Sequence, residues 1–187
     1  MTTPSGVARL LLVCHASTRA TARAAFPGDE PLDGNGLRRA RAAAPRIGPG
    51  RAVRGTELRC AQTAEALGLR AVPEPLLADC DYGRWRGMTL AEVEAAEPEG
   101  LEAWLTDPAA APHDGEPITG LVGRVADWLA TLGPGRTVAV THAPVVRAAV
   151  VHALGAPARA FWRVDVAPLA PVTLTGRGGR WRLSYPA

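Results

Sequence analysis

Residues 10–21 read LLLVCHASTRAT. Leu10 to Val13 form an unbroken apolar run that ends on Cys14-His15, and the chain then turns small and polar through Ala16, Ser17, Thr18 and Arg19. A short continuous apolar run is the pattern of a strand buried on both faces of a parallel sheet, so residues 7–14 are expected to be one. In sheets of that kind, ligands gather where strands end. A strand that stops on a histidine and opens into hydroxyl groups and an arginine suits a phosphate-handling site.

Working outward, the same alternation of strand and helix continues. PLDGNGLRRARAAAPRI carries Leu37, Ala40, Arg41 and Ala44 at helical spacing and ends before Pro49-Gly50. RAVRGT (51–56) reads as a second strand, ELRCAQTAEALG as a helix stopped by Gly68, and LRAVPEP (69–75) as a third strand. LLADCDYGRWRGMTL reads as a loop, and AEVEAAEPEGLEAWL as one or two acidic helices. The turn-rich APHDGEP (111–117) leads into a helix over ITGLVGRVADWLATLG. RTVAVTHA (136–143) is again a strand running into a loop, before a helix, PVVRAAVVHALG, with proline in its first turn. The tail from Phe161 to Tyr185, with Gly178-Gly179 inside it, predicts a terminal hairpin. This order predicts a three-layer α/β/α sandwich with a mostly parallel central sheet, forming a single domain over residues 1–187.

Composition narrows the function. No apolar run approaches the roughly 20 residues that span a bilayer, and MTTPSGVARLLLV has too short an apolar stretch for a signal peptide, so a cytoplasmic protein is expected. The three cysteines, Cys14, Cys60 and Cys80, form no C-x-x-C pair, which speaks for a reducing compartment and against a zinc knuckle. All basic residues are arginine, and the net charge of +3 is not clustered, so an anionic small molecule fits better than nucleic acid.

Two strands end alike, at His15 and at His142. Arg59 follows the strand at 51–56, and Asp79 and Asp81 follow the next one, all at the same sheet edge. Two imidazoles, a guanidinium and a carboxylate suit phosphoryl transfer through a histidine. A neutral imidazole attacks phosphorus, an arginine holds the equatorial oxygens, and a carboxylic acid protonates the leaving oxygen.

These residues resemble the histidine phosphatase (phosphoglycerate mutase-like) superfamily over nearly the whole chain. Cys14-His15-Ala16 stands where that family has Arg-His-Gly, with Thr18 at its usual Ser or Thr, and PLDGNG is similar to its Leu-Thr/Ser-x-x-Gly helix start. TELRCAQTAEAL is similar to Ser-x-Leu-x-Arg-Ala-x-Gln-Thr-Ala-x-x-Leu, LLADCDYGRWRG to Leu-x-Glu-x-x-x-Gly-x-Trp-x-Gly, VTHAPVVRA to Ser-His-Gly-x-x-Ile-Arg, and DGEP to a Gly-Glu-Ser turn. The resemblance implies His15 as nucleophile, Arg59 and His142 as clamps on the phosphoryl oxygens, and Asp79 as general acid and then base. It further implies Thr18, Thr21 and backbone amides, such as that of Ala143, as hydrogen-bond donors, and Trp85 and Arg86 as pocket walls. It implies no metal and no cofactor.

Two departures matter. Cys14 replaces a phosphate-binding arginine, a loss of about 3 kcal/mol in the transition state unless Arg19 or Arg23 folds back. Asp79 replaces a glutamate and is one methylene shorter, with Asp81 as the other candidate acid. Cys14 as the nucleophile fits poorly, because Arg19 follows too soon and the loop has no glycine. A zinc site from Cys14, His15, His142 and Asp79 has suitable ligand types but poor convergence. The expected protein is therefore a monomeric or homodimeric bacterial phosphatase of a small phosphomonoester, such as an α-ribazole phosphate-like, sugar phosphate or nucleotide-like compound. The short chain disfavours a mutase. The alternatives are a family member turned to isomerase or lyase chemistry and a catalytically silent binding module.

Overall fold

The computed structural model describes residues 6–184, so the start of the amino-terminal stretch and Tyr185 of the predicted hairpin lie outside the described residues. A six-stranded sheet runs in the order β3-β2-β4-β1-β5-β6. Its strands are β1 (Ala8–Cys14), β2 (Arg51–Arg54), β3 (Val72–Pro73), β4 (Gly135–Thr141), β5 (Pro171–Arg177) and β6 (Arg180–Ser184). The first four are mutually parallel, and β5 and β6 continue the sheet antiparallel beyond β1. The expected α/β/α sandwich with a mostly parallel sheet is the observed fold.

Burial on both faces explains the uninterrupted apolar run of β1. Leu10, Leu12 and Cys14 point into the larger core, which includes α6 (Ile118–Ala130) and α7 (Ala143–Ala153). Val13 points the other way, into a smaller core with Cys60 and Ala64 of α3 (Leu58–Ala66) and with Val138 and Val140. Partly buried Leu11 and Ala43, the last residue of α2 (Gly34–Ala43), pack against that second core.

The remaining elements refine the sequence reading. The acidic stretch forms two helices, α4 (Leu90–Ala96) and α5 (Pro98–Thr106), split at Glu97-Pro98 because proline cannot continue α4. A short α1 (Arg19–Ala22), absent from the sequence reading, follows the strand-end loop. The third strand shrinks to Val72–Pro73, an edge pairing that proline limits. The tail is a hairpin only from Pro171 onward, turning through Gly178 and Gly179 at positive φ, while residues 158–163 form a 3-10 helix.

The quoted motifs do structural work around the strand ends. Asp33 accepts from the Gly36 amide at 2.6 Å and from the Ser17 hydroxyl at 3.0 Å, tying the start of α2 to the loop after His15. A Cβ on Gly36 would lie 2.3 Å from the Ser17 carbonyl, so only glycine permits that approach. A Cβ on Gly115 would likewise lie 2.0 Å from the Asp81 carbonyl, which explains the glycine of DGEP.

Candidate active site

The parallel register places Cys14 beside Thr141, so the two histidines that follow them emerge together. Their rings lie 5.3 Å apart, edge to face. The His15 amide donates to the Thr141 carbonyl at 2.7 Å, and His15 Nδ1 donates to the Ala16 carbonyl at 2.8 Å. With Nδ1–H so engaged, Nε2 carries the free lone pair. Burial, reinforced by the charge of His142, lowers His15 to about 4, so its ring is neutral at neutral pH.

His142 is opposite in charge. Burial alone would lower it, but the Asp79 carboxylate, Cys60 and a hydrogen bond to Glu57 outweigh that and raise it to about 10. Its Nδ1 lies 3.4 Å from Asp79 Oδ2, and its Nε2 donates to Glu57 Oε2 at 2.9 Å. Arg59, 1% exposed, donates through Nη2 to Asp79 Oδ2 at 2.7 Å and through Nη1 to the Gly28 carbonyl at 2.5 Å. Its Nε is buried without a protein partner. Asp79 thus sits as an anion between two cations, with one more guanidinium donor left over.

The segment that carries Asp79 is pinned from two sides. Glu57 Oε1 accepts from the Asp79 amide at 2.8 Å. Arg124 of α6 donates to the carbonyls of Leu76, Ala78 and Asp79 at 2.8, 3.1 and 3.3 Å, and its other contacts are to the Glu116 carboxylate at 2.7 and 2.9 Å. Glu116 is the glutamate of DGEP, so that motif serves the site at a distance, through Arg124.

Beside Arg59 and Asp79 opens a pocket of about 480 Å³, lined among others by Pro27, Asp29, Glu57, Asp81 and Arg86. The structure brings together His15, Arg59, Asp79 and His142, as the sequence reading expected. Ala143 begins α7, so its amide belongs to the first turn, whose N–H groups have no acceptor within the helix.

Other expected residues lie elsewhere. The Thr18 and Thr21 hydroxyls form the capping box of α1 and contact each other at 3.2 Å, and Thr18 also donates to Glu30 at 3.0 Å, because the chain turns into a helix there. Arg19 and Arg23 are exposed on that short helix and its C-cap. Trp85 is fully buried against Phe26, Trp104 and His113, away from the lining of this pocket, whereas Arg86 does reach its rim, paired with Asp81 at 2.9 Å. Asp81 also accepts from the Gly83 amide at 2.8 Å, the behaviour of a loop cap. Cys14 is buried in the larger core, and burial pushes its thiol up to about 12, so it is neither thiolate nor ligand.

Two contributors escaped the sequence reading, Glu57 and Gly55. Counted back from Arg59, the leucine of Ser-x-Leu-x-Arg falls on Glu57 and its serine on Gly55, one position earlier than the match on TELR suggests. A carboxylate at a position expected to be apolar was the available signal. Glu57, Cys60 and His142 form a compact group with metal-ligand chemistry, their ligand atoms within 4.8 Å of one another. Cys60 Sγ, however, is 3.3 Å from Nε2 and 4.0 Å from Nδ1. These distances place the sulfur beside the ring, off the nitrogen lone-pair directions, so the three do not converge on one ion.

Known proteins share the sequence pattern and the fold. The sequence model of the histidine phosphatase superfamily (branch 1) matches residues 10–186. A glucosyl-3-phosphoglycerate phosphatase of Mycolicibacterium vanbaalenii is 32% identical over 172 residues, covering 81% of this chain and 76% of that protein. Phosphoserine phosphatase 1 of Hydrogenobacter thermophilus is 29% identical over 112 residues, spanning 57% of this chain and about half (53%) of that protein. A solved structure of mycobacterial glucosyl-3-phosphoglycerate phosphatase with VO3 superposes with a TM-score of 0.83 at 28% identity, covering 94% of this chain and 96% of that one.

Proposed function

The chain belongs to branch 1 of the histidine phosphatase superfamily and is a phosphoric monoester hydrolase, and we propose that it cleaves a small phosphomonoester through a phosphohistidine on His15. The observation that carries this mechanism is the Asp79 carboxylate held between Arg59 and His142, 2.7 and 3.4 Å away, in a cradle that already accepts an anion.

The substrate phosphoryl group takes the place of that carboxylate. Arg59, through Nη2 and its unpartnered Nε, and His142, through Nδ1–H, hold the non-bridging oxygens. Neutral His15 Nε2 attacks phosphorus. The phosphate ester enters as its monoanion and the displaced Asp79 takes up its proton; the N–P bond then forms as the ester P–O bond breaks, and the departing alkoxide receives that proton from Asp79. Water next attacks the phosphohistidine, Asp79 takes up its proton, the N–P bond breaks, and inorganic phosphate leaves a neutral His15 behind.

The pocket beside the cradle has the size of a metabolite site. The sugar-bearing substrate in the name of one relative, the glucosyl-3-phosphoglycerate phosphatase, supports a sugar phosphate, with α-ribazole phosphate-like and nucleotide-like esters as the neighbouring choices. No helix among the described residues is long and apolar enough to cross a membrane, which supports a cytoplasmic enzyme. The site residues all lie in loops and helix starts at one edge of a single sheet, in keeping with a single domain over residues 1–187, acting as a monomer or homodimer.

The test is a phosphate-release screen over metabolite phosphomonoesters, run beside His15→Ala. Turnover of at least one ester that His15→Ala abolishes, with acid-labile phosphate trapped on the wild-type chain, supports the mechanism. Turnover that survives His15→Ala overturns it, and silence on every ester favours the isomerase or lyase alternative.

A further inference from the structure

We propose that Glu57 is the positioning residue that keeps His142 a fixed cation of the phosphate cradle, in place of the guanidinium that the chain lacks at Cys14. What that cation does rests on the phosphatase reading above. That Glu57 holds it charged does not.

The two ring nitrogens of His142 face different carboxylates. Nδ1 faces Asp79 Oδ2 at 3.4 Å, and Nε2 donates to Glu57 Oε2 at 2.9 Å. Asp79 has to give up its place when a phosphoryl group enters, and its proton when the ester breaks. A carboxylate that moves and changes protonation state within each turnover cannot keep His142 charged throughout. Glu57 sits on the opposite nitrogen, away from the reacting atoms, and its contact persists.

Glu57 is itself held as an anion. It occupies the N-cap position of α3, and the positive end of the helix favours a carboxylate there although the side chain turns to His142 and makes no capping hydrogen bond. Burial would raise it, but the hydrogen bond and charge of His142 and the Asp79 amide hold it well below the usual carboxylate range. The other titratable groups against His142 are Asp79 from its loop, Arg59 and Cys60 from α3, and His15 from the end of β1. Of these, Arg59 carries a positive charge and His15 is neutral, so neither favours the imidazolium. Cys60 lies beside the ring rather than on a lone pair. Glu57 is therefore the one lasting anion hydrogen-bonded to the ring.

Gly55 makes the contact possible. A Cβ there would come within 2.8 Å of His142 Nε2 and 3.0 Å of Glu57 Oε2, wedging into the pair. The replacements at 55 and 57 therefore belong together, one clearing space and the other filling it with charge. The two arginines that the sequence offered as possible substitutes for the lost guanidinium, Arg19 and Arg23, are exposed on α1 and its C-cap.

The test follows the imidazole directly. His142 is titrated by NMR in histidine-labelled protein, its signal identified by loss in His142→Gln, for the wild type, Glu57→Gln and Glu57→Asp. Wild-type His142 is expected to stay charged to about pH 10. Glu57→Gln should bring it down by on the order of two pH units, with Glu57→Asp in between.

The pH profile of kcat/KM on p-nitrophenyl phosphate should move in step. Its alkaline limb shifts down in Glu57→Gln, while the acid limb set by His15 stays in place. Should Glu57→Gln not fold, Gly55→Ala, which crowds the pair apart, is expected to give the same shift. An unchanged His142 titration in the folded variant, or a uniform loss of activity with both limbs in place, overturns the proposal. If the wild type hydrolyses no phosphomonoester, the phosphatase reading fails, and the NMR titration still decides the role of Glu57.

Discussion

Asp79 Oδ2 lies 2.7 Å from Arg59 Nη2, with both side chains nearly excluded from solvent. In the proposed mechanism the cradle for the phosphoryl group is therefore occupied at rest by the proposed acid. Asp79→Asn removes both the competing charge and the proton donor. Inorganic phosphate and vanadate should bind the variant more tightly than the wild type. Turnover of alkyl phosphates, whose leaving groups need a proton, should fall by roughly 10²–10⁴-fold. Titration calorimetry with vanadate and steady-state kinetics check the two halves, and weaker vanadate binding would show that Asp79 does not compete for the cradle.

Cys14 occupies the position of a phosphate-binding arginine while its neutral thiol faces the core. Cys14→Arg is expected to raise kcat/KM by up to about a hundredfold if the new guanidinium reaches the cradle, and to lower stability because a charged side chain replaces a fully packed one. Cys14→Ser, which adds no charge, should leave the rate within a few-fold. Kinetics beside thermal unfolding separate the two effects.

Arg124 donates to three carbonyls of one short segment, those of Leu76, Ala78 and Asp79, while its own charge is met by Glu116. Arg124→Ala should cost about 2 kcal/mol or more, because those acceptors and Glu116 lose their partner together. It should also lower kcat by loosening Asp79, although Arg124 touches no reacting atom. Denaturant melts and kinetics on one ester test this; a stability loss with kcat intact would confine Arg124 to a structural role.

Stability should peak at about pH 6.5, and the sign follows from three groups. His142 is raised from 6.5 to about 10, so its contribution is complete below 6.5 and is lost as pH rises towards 10. His15 is lowered from 6.5 to about 4, so its contribution is complete above 6.5 and is lost as pH falls towards 4. Glu57, held below its ordinary 4.5, adds to the acid-side loss below that value. Thermal unfolding midpoints across this range should fall on both sides of the maximum. Glu57→Gln should flatten the alkaline side.

The parts of the site that lay open in the sequence are those whose local pattern and chemistry coincide. His15 and His142 each end a buried strand, and Arg59 opens the helix after another, so strand recognition alone set them at one edge. Trp85 reads equally well as a pocket wall or a core residue in sequence, and its packing against Phe26, Trp104 and His113 decides for the core. Glu57 stood out only as a carboxylate in an apolar position. What it touches lies 85 residues away, at a distance that no local spacing encodes.

By itself, the sequence determined the sandwich, the sheet edge and which candidate groups gather there, because buried strands, glycine approaches and strand-end histidines are written in short-range pattern. Only the tertiary structure decided their charges. His15 is neutral and His142 charged although both are buried histidines at matching strand ends, because Glu57 and Asp79 fold against the ring of His142, while burial and that neighbouring charge outweigh the one backbone carbonyl on the ring of His15. Protonation depends on neighbours brought together through space, and the two rings and those neighbours come from four separate segments of the chain.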